Sequence, residues 1–396
     1  MTDNDATTFA DVTEVTMRLL NYCREHDWAG YDPYDALNSR VFRATPFVWS
    51  KYCRIAFTQL MKRSPVNLRP LLLVPKKRNP KGTALFISAL LNLKKEALFQ
   101  DDATIHALTD DLIATRSKGQ SYSCWGYSFD WQTRGYLVPE GSPNIICTTF
   151  AGNALLDVWE ESKRQDCLDH AVSASHFLIE RLNDDLGDEE ACFNYTPIST
   201  SRIHNANLLG AAYVARVAVA VGDKSALGLV QRAARYSVRK QAADGSWPYG
   251  EAPTQQWIDN FHTGYNLCAL QTIKEQTGSS EFDEAIRQGL AFYTAHFFRK
   301  DGAPKYFHNR TYPLDIHSAA QSLITLIRFR NTAELNGLLD AVLFWTCDKL
   351  RSDSGCFYHQ KHMLFTNHIP YMRWNQAWMM FALAQLHYNV MMNPNT

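Results

Sequence analysis

The densest run of chemically capable side chains falls between residues 244 and 265. It reads Asp244-Gly-Ser-Trp247-Pro-Tyr249-Gly-Glu251 and then Trp257-Ile-Asp259-Asn260-Phe-His262-Thr263-Gly-Tyr265. Asp259 stands where an N-cap would stand, which places His262 at the third residue of the helix that follows. A helix N-terminus lowers the proton affinity of an imidazole and leaves it neutral, able to accept a proton. Glu251, in a loop beside Trp247 and Tyr249, offers a second carboxylate, and two carboxylates in unlike surroundings can divide into acid and base. Asp259, His262 and Glu251 are therefore the predicted proton-transfer groups.

Flanking stretches repeat the pattern, with Arg202-Ile-His204-Asn205 before and Asp315-Ile-His317-Ser318 after. His204, His262 and His317 are predicted to sit at similar heights on neighbouring helices. No H-x-x-x-H or H-E-x-x-H spacing joins them, so no metal site is predicted, and no motif calls for a cofactor. Asp130, His204, Asn205, Asp315, His317 and Arg373 are the predicted hydrogen-bonding set for hydroxyls or a carboxylate. Trp131, Tyr249, Trp257 and Trp374 are predicted to stack on the flat C–H faces of sugar rings. Trp125 and Trp247 recur at an architectural spacing and also read as wedges between helices.

The elements that must hold these groups repeat along the chain. Aromatic turns recur at Tyr127, Tyr195, Tyr249, Tyr306 and Tyr358, in steps of 68, 54, 57 and 52 residues. Asp27-Trp28-Ala-Gly-Tyr31-Asp-Pro-Tyr34-Asp35 is a diverged further copy. Each turn precedes two helical segments of different character. Residues 203–221 are apolar nearly all round, as a helix buried on every side must be, whereas 224–242 carries Lys and Arg on one face. The alternation recurs at 146–162 with 166–183, 260–276 with 281–298, and 316–330 with 333–350. Buried helices alternating with half-wet ones predict an all-α, single-domain α/α toroid of about six hairpins, with an inner and an outer ring. The helix at 373–390 is predicted to close against the one at 8–26, and the Pro-rich 65–80 to be a loop. In such a ring every inner helix starts at the same end, so their unpaired N–H groups would surround one mouth suited to anions and oxygen-rich ligands. The structural competitor is an open solenoid of stacked hairpins.

Gln241-Ala-Ala-Asp-Gly245-Ser-Trp247 resembles the Q-x-x-x-G-x-W turn of the terpenoid cyclase and prenyltransferase toroids. The acid and diphosphate motifs of those enzymes are missing, so that resemblance implies the fold and not the chemistry. Cys124-Trp-Gly-Tyr-Ser-Phe-Asp130-Trp131-Gln132, the 257–265 stretch, Tyr31-Asp-Pro-Tyr-Asp35 and Asn67-Leu-Arg69-Pro70 resemble a bacterial family of toroids linked to capsule and exopolysaccharide synthesis. That resemblance implies a glycan context. The six-hairpin glycosidases, α/α-toroid lyases and sugar epimerases are its broader relatives, and they carry their sites at the same mouth. The lyases among them use Asn, His, Tyr and Arg, for which this chain offers Asn260, His262, Tyr249 and Arg202 or Arg310.

Composition narrows the classes. Forty basic against forty acidic residues leave no net charge, which argues against a nucleic-acid partner. No apolar run is long enough to span a bilayer. The polar start of the chain and nine scattered cysteines without C-x-x-C predict a cytoplasmic protein with free thiols. The predicted function is acid–base chemistry on an oligo- or polysaccharide in surface-glycan metabolism, by glycosidic cleavage, uronate elimination or epimerisation, with a saccharide as the only expected partner. Two alternatives stand beside it: a non-catalytic glycan-binding scaffold, and an isoprenoid-handling toroid. An aromatic cavity that no carboxylate faces would favour the isoprenoid reading.

Overall fold

The computed structural model describes residues 3–133 and 135–392. Its helices are α1 (Asp3–Glu25), α2 (Arg40–Arg43), α3 (Lys51–Arg63), α4 (Pro80–Lys95), α5 (Asp102–Ala114), α6 (Ile145–Ser162) and α7 (Gln165–Phe177). They continue with α8 (His204–Val221), α9 (Ser225–Val238), α10 (Asn260–Thr277), α11 (Asp283–His296), α12 (Ile316–Phe329), α13 (Ala333–Leu350) and α14 (Trp378–Met392). A π-helical turn, Met372–Ala377, opens α14.

The ring closes. Helix α4 packs on α6, α6 on α8, α8 on α10, α10 on α12, α12 on α14, and α14 returns to α4. Outside them lie α5, α7, α9, α11, α13 and, against α14, α1. The two ends of the chain thus form one hairpin, as the sequence predicts, and the inner ring is sealed by α14 on α4. One core of apolar side chains runs through all six hairpins.

Local chemistry explains where the inner helices start. Asn79, Asn144, Asp259 and Asp315 cap α4, α6, α10 and α12 with their side chains. The first helical N–H groups, which have no partner within a helix, donate to the turn of the next repeat. Ile145 N donates to Tyr195 O, His204 N to Tyr249 O, Asn260 N to Tyr306 O and Ile316 N to His359 O. Met372 N donates to Tyr31 O, which joins the last inner helix to the first aromatic turn. The tyrosine period is therefore the period of this rim. The turn at Tyr31 is the sixth copy, and its inner helix is delayed to Pro80 by an inserted segment holding α2 and α3.

Short strands decorate the rim. β1 (Trp131–Gln132) pairs with β2 (Leu137–Val138), and β3 (Asn183–Asp185) with β4 (Ala191–Phe193). β6 (Gln360–Lys361) lies between β5 (Leu314–Asp315) and β7 (Thr366–Asn367). Residues 65–79 are loop, as predicted. Among the described residues no helix is long and apolar enough to cross a membrane.

Candidate active site

The inner-helix N-termini surround a cavity of roughly 400 Å³. The second residue of every inner helix lines it: Lys81, Ile146, Asn205, Phe261, His317 and Arg373. The turn tyrosines Tyr127, Tyr195, Tyr249 and Tyr306 stand between them, with Trp131, Trp257 and Trp374. This common register has a simple cause, because the rim hydrogen bonds fix each helix start at the same height and rotation.

Asp259 does two jobs at once. Its Oδ1 accepts the His262 backbone N–H at 3.0 Å, which caps α10. Its Oδ2 lies 2.7 Å from His262 Nδ1 and also accepts the Trp257 indole N–H at 2.8 Å. The carboxylate side chain is fully buried, while the imidazole keeps 21% exposure on the cavity side. With Nδ1 engaged, the lone pair of a neutral ring sits on Nε2, which has no partner among the described residues. Tyr249 stacks on Trp257 at 4.5 Å and 14° and lies 4.5 Å from the His262 ring, so the dyad stands beside an aromatic platform.

A second imidazole forms the floor. His317 Nε2 is 2.5 Å from the Tyr265 hydroxyl, and its Nδ1 has no hydrogen-bond partner. Burial, then the charges of Lys81 and Arg373, hold His317 well below the ordinary histidine range, so the ring is neutral. Trp374 packs on it, with its indole N–H aimed at Asp315 Oδ1 at 3.1 Å.

The floor also holds Lys81, which the sequence reading did not single out. Its ammonium position is 4.4 Å from the Phe150 ring centroid, 4.9 Å from that of Trp378 and 5.5 Å from that of Tyr265. It forms no ion pair among the described residues, and its side chain is buried. Burial and the neighbouring Arg373 push its pKa down to about 7. The signal was present: Asn79-Pro80 is a helix start, and Lys81 then takes the register position held by Asn205 and His317. Lys62, from α3, reaches the cavity as well and bonds the Tyr34 hydroxyl at 2.8 Å.

Several predicted residues stand elsewhere. Glu251 does not line the cavity; its carboxylate accepts from the Tyr236 hydroxyl and lies 3.8 Å from Lys240, toward the outer ring. The expected pairing of Glu251 with Asp259 is thus absent. His204 is the first residue of its helix, one before the lining position, so it turns outward to Ser237 Oγ at 3.3 Å. The three histidines occupy the first, third and second helical positions of their helices and do not share one height and direction. Asn260, also a first residue, faces the outer ring and accepts from Tyr293 and Ser322. Asp315 is buried behind Trp374, where it caps α12 and accepts from Gln360, and burial raises its pKa to about 6. Asp130 does not line the cavity and is bound to Arg43. Asn205, Trp131, Tyr249, Trp257, His317, Arg373 and Trp374 do line the cavity. The Asn205 Oδ1 lacks a hydrogen-bond partner. Arg373 is neutralised by two hydrogen bonds to Asp32, which Asp35 and Arg69 anchor in turn. Among the described residues, no Asp or Glu lines the cavity.

No described protein family and no curated protein matches the chain in sequence. Solved structures do match in shape. A heparin-specific unsaturated glucuronyl hydrolase superposes with a TM-score of 0.64 at 11% identity, covering 97% of each chain. A cellobiose 2-epimerase from Bacillus thermoamylovorans gives 0.62 at 11% identity, over 78% of this chain and 87% of that one. A GH76 α-mannanase from Bacteroides thetaiotaomicron gives 0.59 at 11% identity, over 80% of this chain and 87% of that one. At such identities the likeness is one of fold: the chain is an α/α toroid.

Proposed function

We propose that the chain is an enzyme that moves a proton on an acidic saccharide, in an epimerisation or an elimination next to a carbonyl or carboxylate carbon. The observation that carries this reading is the cavity's equipment: the Asp259-oriented His262, the His317–Tyr265 pair, Lys81 and Lys62, with no lining carboxylate. Two-carboxylate hydrolysis needs a pair of carboxyl groups facing the sugar, at separations of about 5 to 9.5 Å. Here the proton-transfer groups are imidazoles. His262 Nε2 is the base, and the Tyr265–His317 pair returns a proton from the floor. The amines bind the acidic group: an anion entering the cavity restores Lys81 to its ammonium form. Asn205 and the Tyr249–Trp257 platform hold hydroxyls and a ring face.

The activities of the structural neighbours, an epimerase and a glucuronyl hydrolase among them, support the substrate class. The capsule-family resemblance supports a surface-glycan precursor as substrate. Nine free cysteines suit a reducing cytoplasm. The aromatic lining without a carboxylate favours one rival, the isoprenoid-handling toroid.

Purified protein incubated in D2O with a panel of uronic-acid oligosaccharides tests the proposal. Deuterium entering the substrate without loss of mass indicates epimerisation, and rising ultraviolet absorbance of an unsaturated product indicates elimination. New reducing ends with neither signal would move the assignment to hydrolysis. Binding of a prenyl diphosphate with no response to any saccharide would move it to the isoprenoid class.

A further inference from the structure

The inserted segment that carries α2 and α3 has no counterpart in the other five repeats, and its composition differs from the rest of the chain. Residues 36–79 contain ten Lys and Arg and no Asp or Glu, in a chain whose totals are 40 and 40. Arg43, Arg69, Lys77 and Arg78 are paired with acids from elsewhere. Arg40, Lys51, Arg63 and Lys76 form no ion pair among the described residues.

The same segment exposes large apolar side chains. Phe47 is 59% exposed, Trp49 86%, Tyr52 79%, Leu60 59%, Val66 63% and Leu71 76%. On α3 the exposed residues Tyr52, Ala56, Leu60 and Arg63 follow helical spacing, so they form one outward stripe, while Met61 and Lys62 turn inward. A neighbouring loop adds Met363 and Leu364, 72% and 86% exposed, and is tied to the end of α3 by Asn367 Nδ2 donating to Ser64 O at 3.2 Å.

We propose that this face is a docking surface for an anionic lipid bilayer. Aromatic and aliphatic tips ringed by unpaired cations match an interfacial membrane contact, in which the tips enter the headgroup boundary and the cations meet lipid phosphates. A protein partner would cover a surface depleted of charge at its centre. A nucleic acid would leave Leu60, Val66, Leu71 and Leu364 without a partner. Because Lys62 on the inner side of α3 lines the cavity, docking sets the mouth beside the membrane. The inference is independent of the proposed reaction.

Co-sedimentation of the full chain with vesicles tests it. Phosphatidylcholine vesicles containing phosphatidylglycerol are expected to bind the protein, with binding falling as salt rises, and phosphatidylcholine alone is not. The double variants Trp49→Ser/Tyr52→Ser and Lys51→Glu/Arg63→Glu change only surface positions, and each is expected to weaken binding about ten-fold at an unchanged melting temperature. Absence of binding to the anionic vesicles overturns the proposal, as does equally tight binding of a mixed-sequence oligonucleotide. A dimer in solution that dissociates on Trp49→Ser also overturns it, since a second copy would then cover the face.

Discussion

At the scale of single residues, Asp259 serves its helix and the neighbouring imidazole at once. One oxygen caps α10, and the other fixes the tautomer and direction of His262. Substitutions separate the two. His262→Gln is expected to lower kcat/KM by about 10²–10⁴. Asp259→Ser keeps a capping oxygen, so its melting temperature should stay near that of the parent while activity falls. Asp259→Ala loses both, with a stability cost of about 0.5–2 kcal/mol. A melting curve for Asp259→Ser as poor as that for Asp259→Ala would show that the cap is not separable. Lys81 gives a pH prediction. Its native pKa is pushed down to about 7, against an ordinary lysine near 10.5. Between those values the unfolded chain holds a proton that the native protein lacks, so the amine's contribution to stability rises with pH across that window. Lys81→Met should be more stable than the parent at pH 7, with a gap that closes toward pH 10 by at most about 1.4 kcal/mol per pH unit. Urea midpoints of the two proteins across that range check it, and a constant gap would mean that the amine is solvated.

At the scale of elements, the inner helices approach closely where a side chain is missing. A Cβ on Gly152 of α6 would lie 2.1 Å from the Tyr213 hydroxyl of α8. That hydroxyl donates to Ala171 O, so it is not free to retreat. Gly152→Ala is therefore expected to destabilise by about 1–3 kcal/mol or more, read as a lower urea midpoint, despite the better helix propensity of alanine. Helix pattern was the most legible feature of the sequence: 203–221, 260–276 and 333–350 match α8, α10 and α13 to within a residue. These segments announce themselves because local periodicity and caps decide them. The first hairpin, α4 with α5, was not marked out, because the insertion after Tyr31 breaks the spacing that reveals the other five.

For the molecule as a whole, closure is what gathers the cavity. Helix α14 seals the ring on α4 and is covered from outside by α1, whose Val12, Val15, Leu19 and Leu20 are buried. Each such side chain is worth about 1.5–3 kcal/mol, and their sum is comparable to the whole stability of a domain, about 5–15 kcal/mol. Deleting residues 1–26 should therefore abolish the cooperative thermal transition seen by near-ultraviolet circular dichroism. A truncated chain that melts sharply near the parent's temperature would show that the ring closes without its last outer helix.

Read alone, the chain sufficed for the toroid, for the rim at which its inner helices begin, and for the adjacency of Asp259 and His262. Each of these rests on contacts within a few residues or on a period along the chain. Which neighbouring side chain enters the cavity was decided in three dimensions. Successive helical residues point about 100° apart, so a shift of one position sends His204 to the outer ring and brings Asn205 inside. Glu251, a loop residue, is held by Tyr236 of α9, and Lys81 comes from beyond the inserted segment. Rotation and long-range pairing of this kind are set by packing around the closed ring, and no local pattern encodes them.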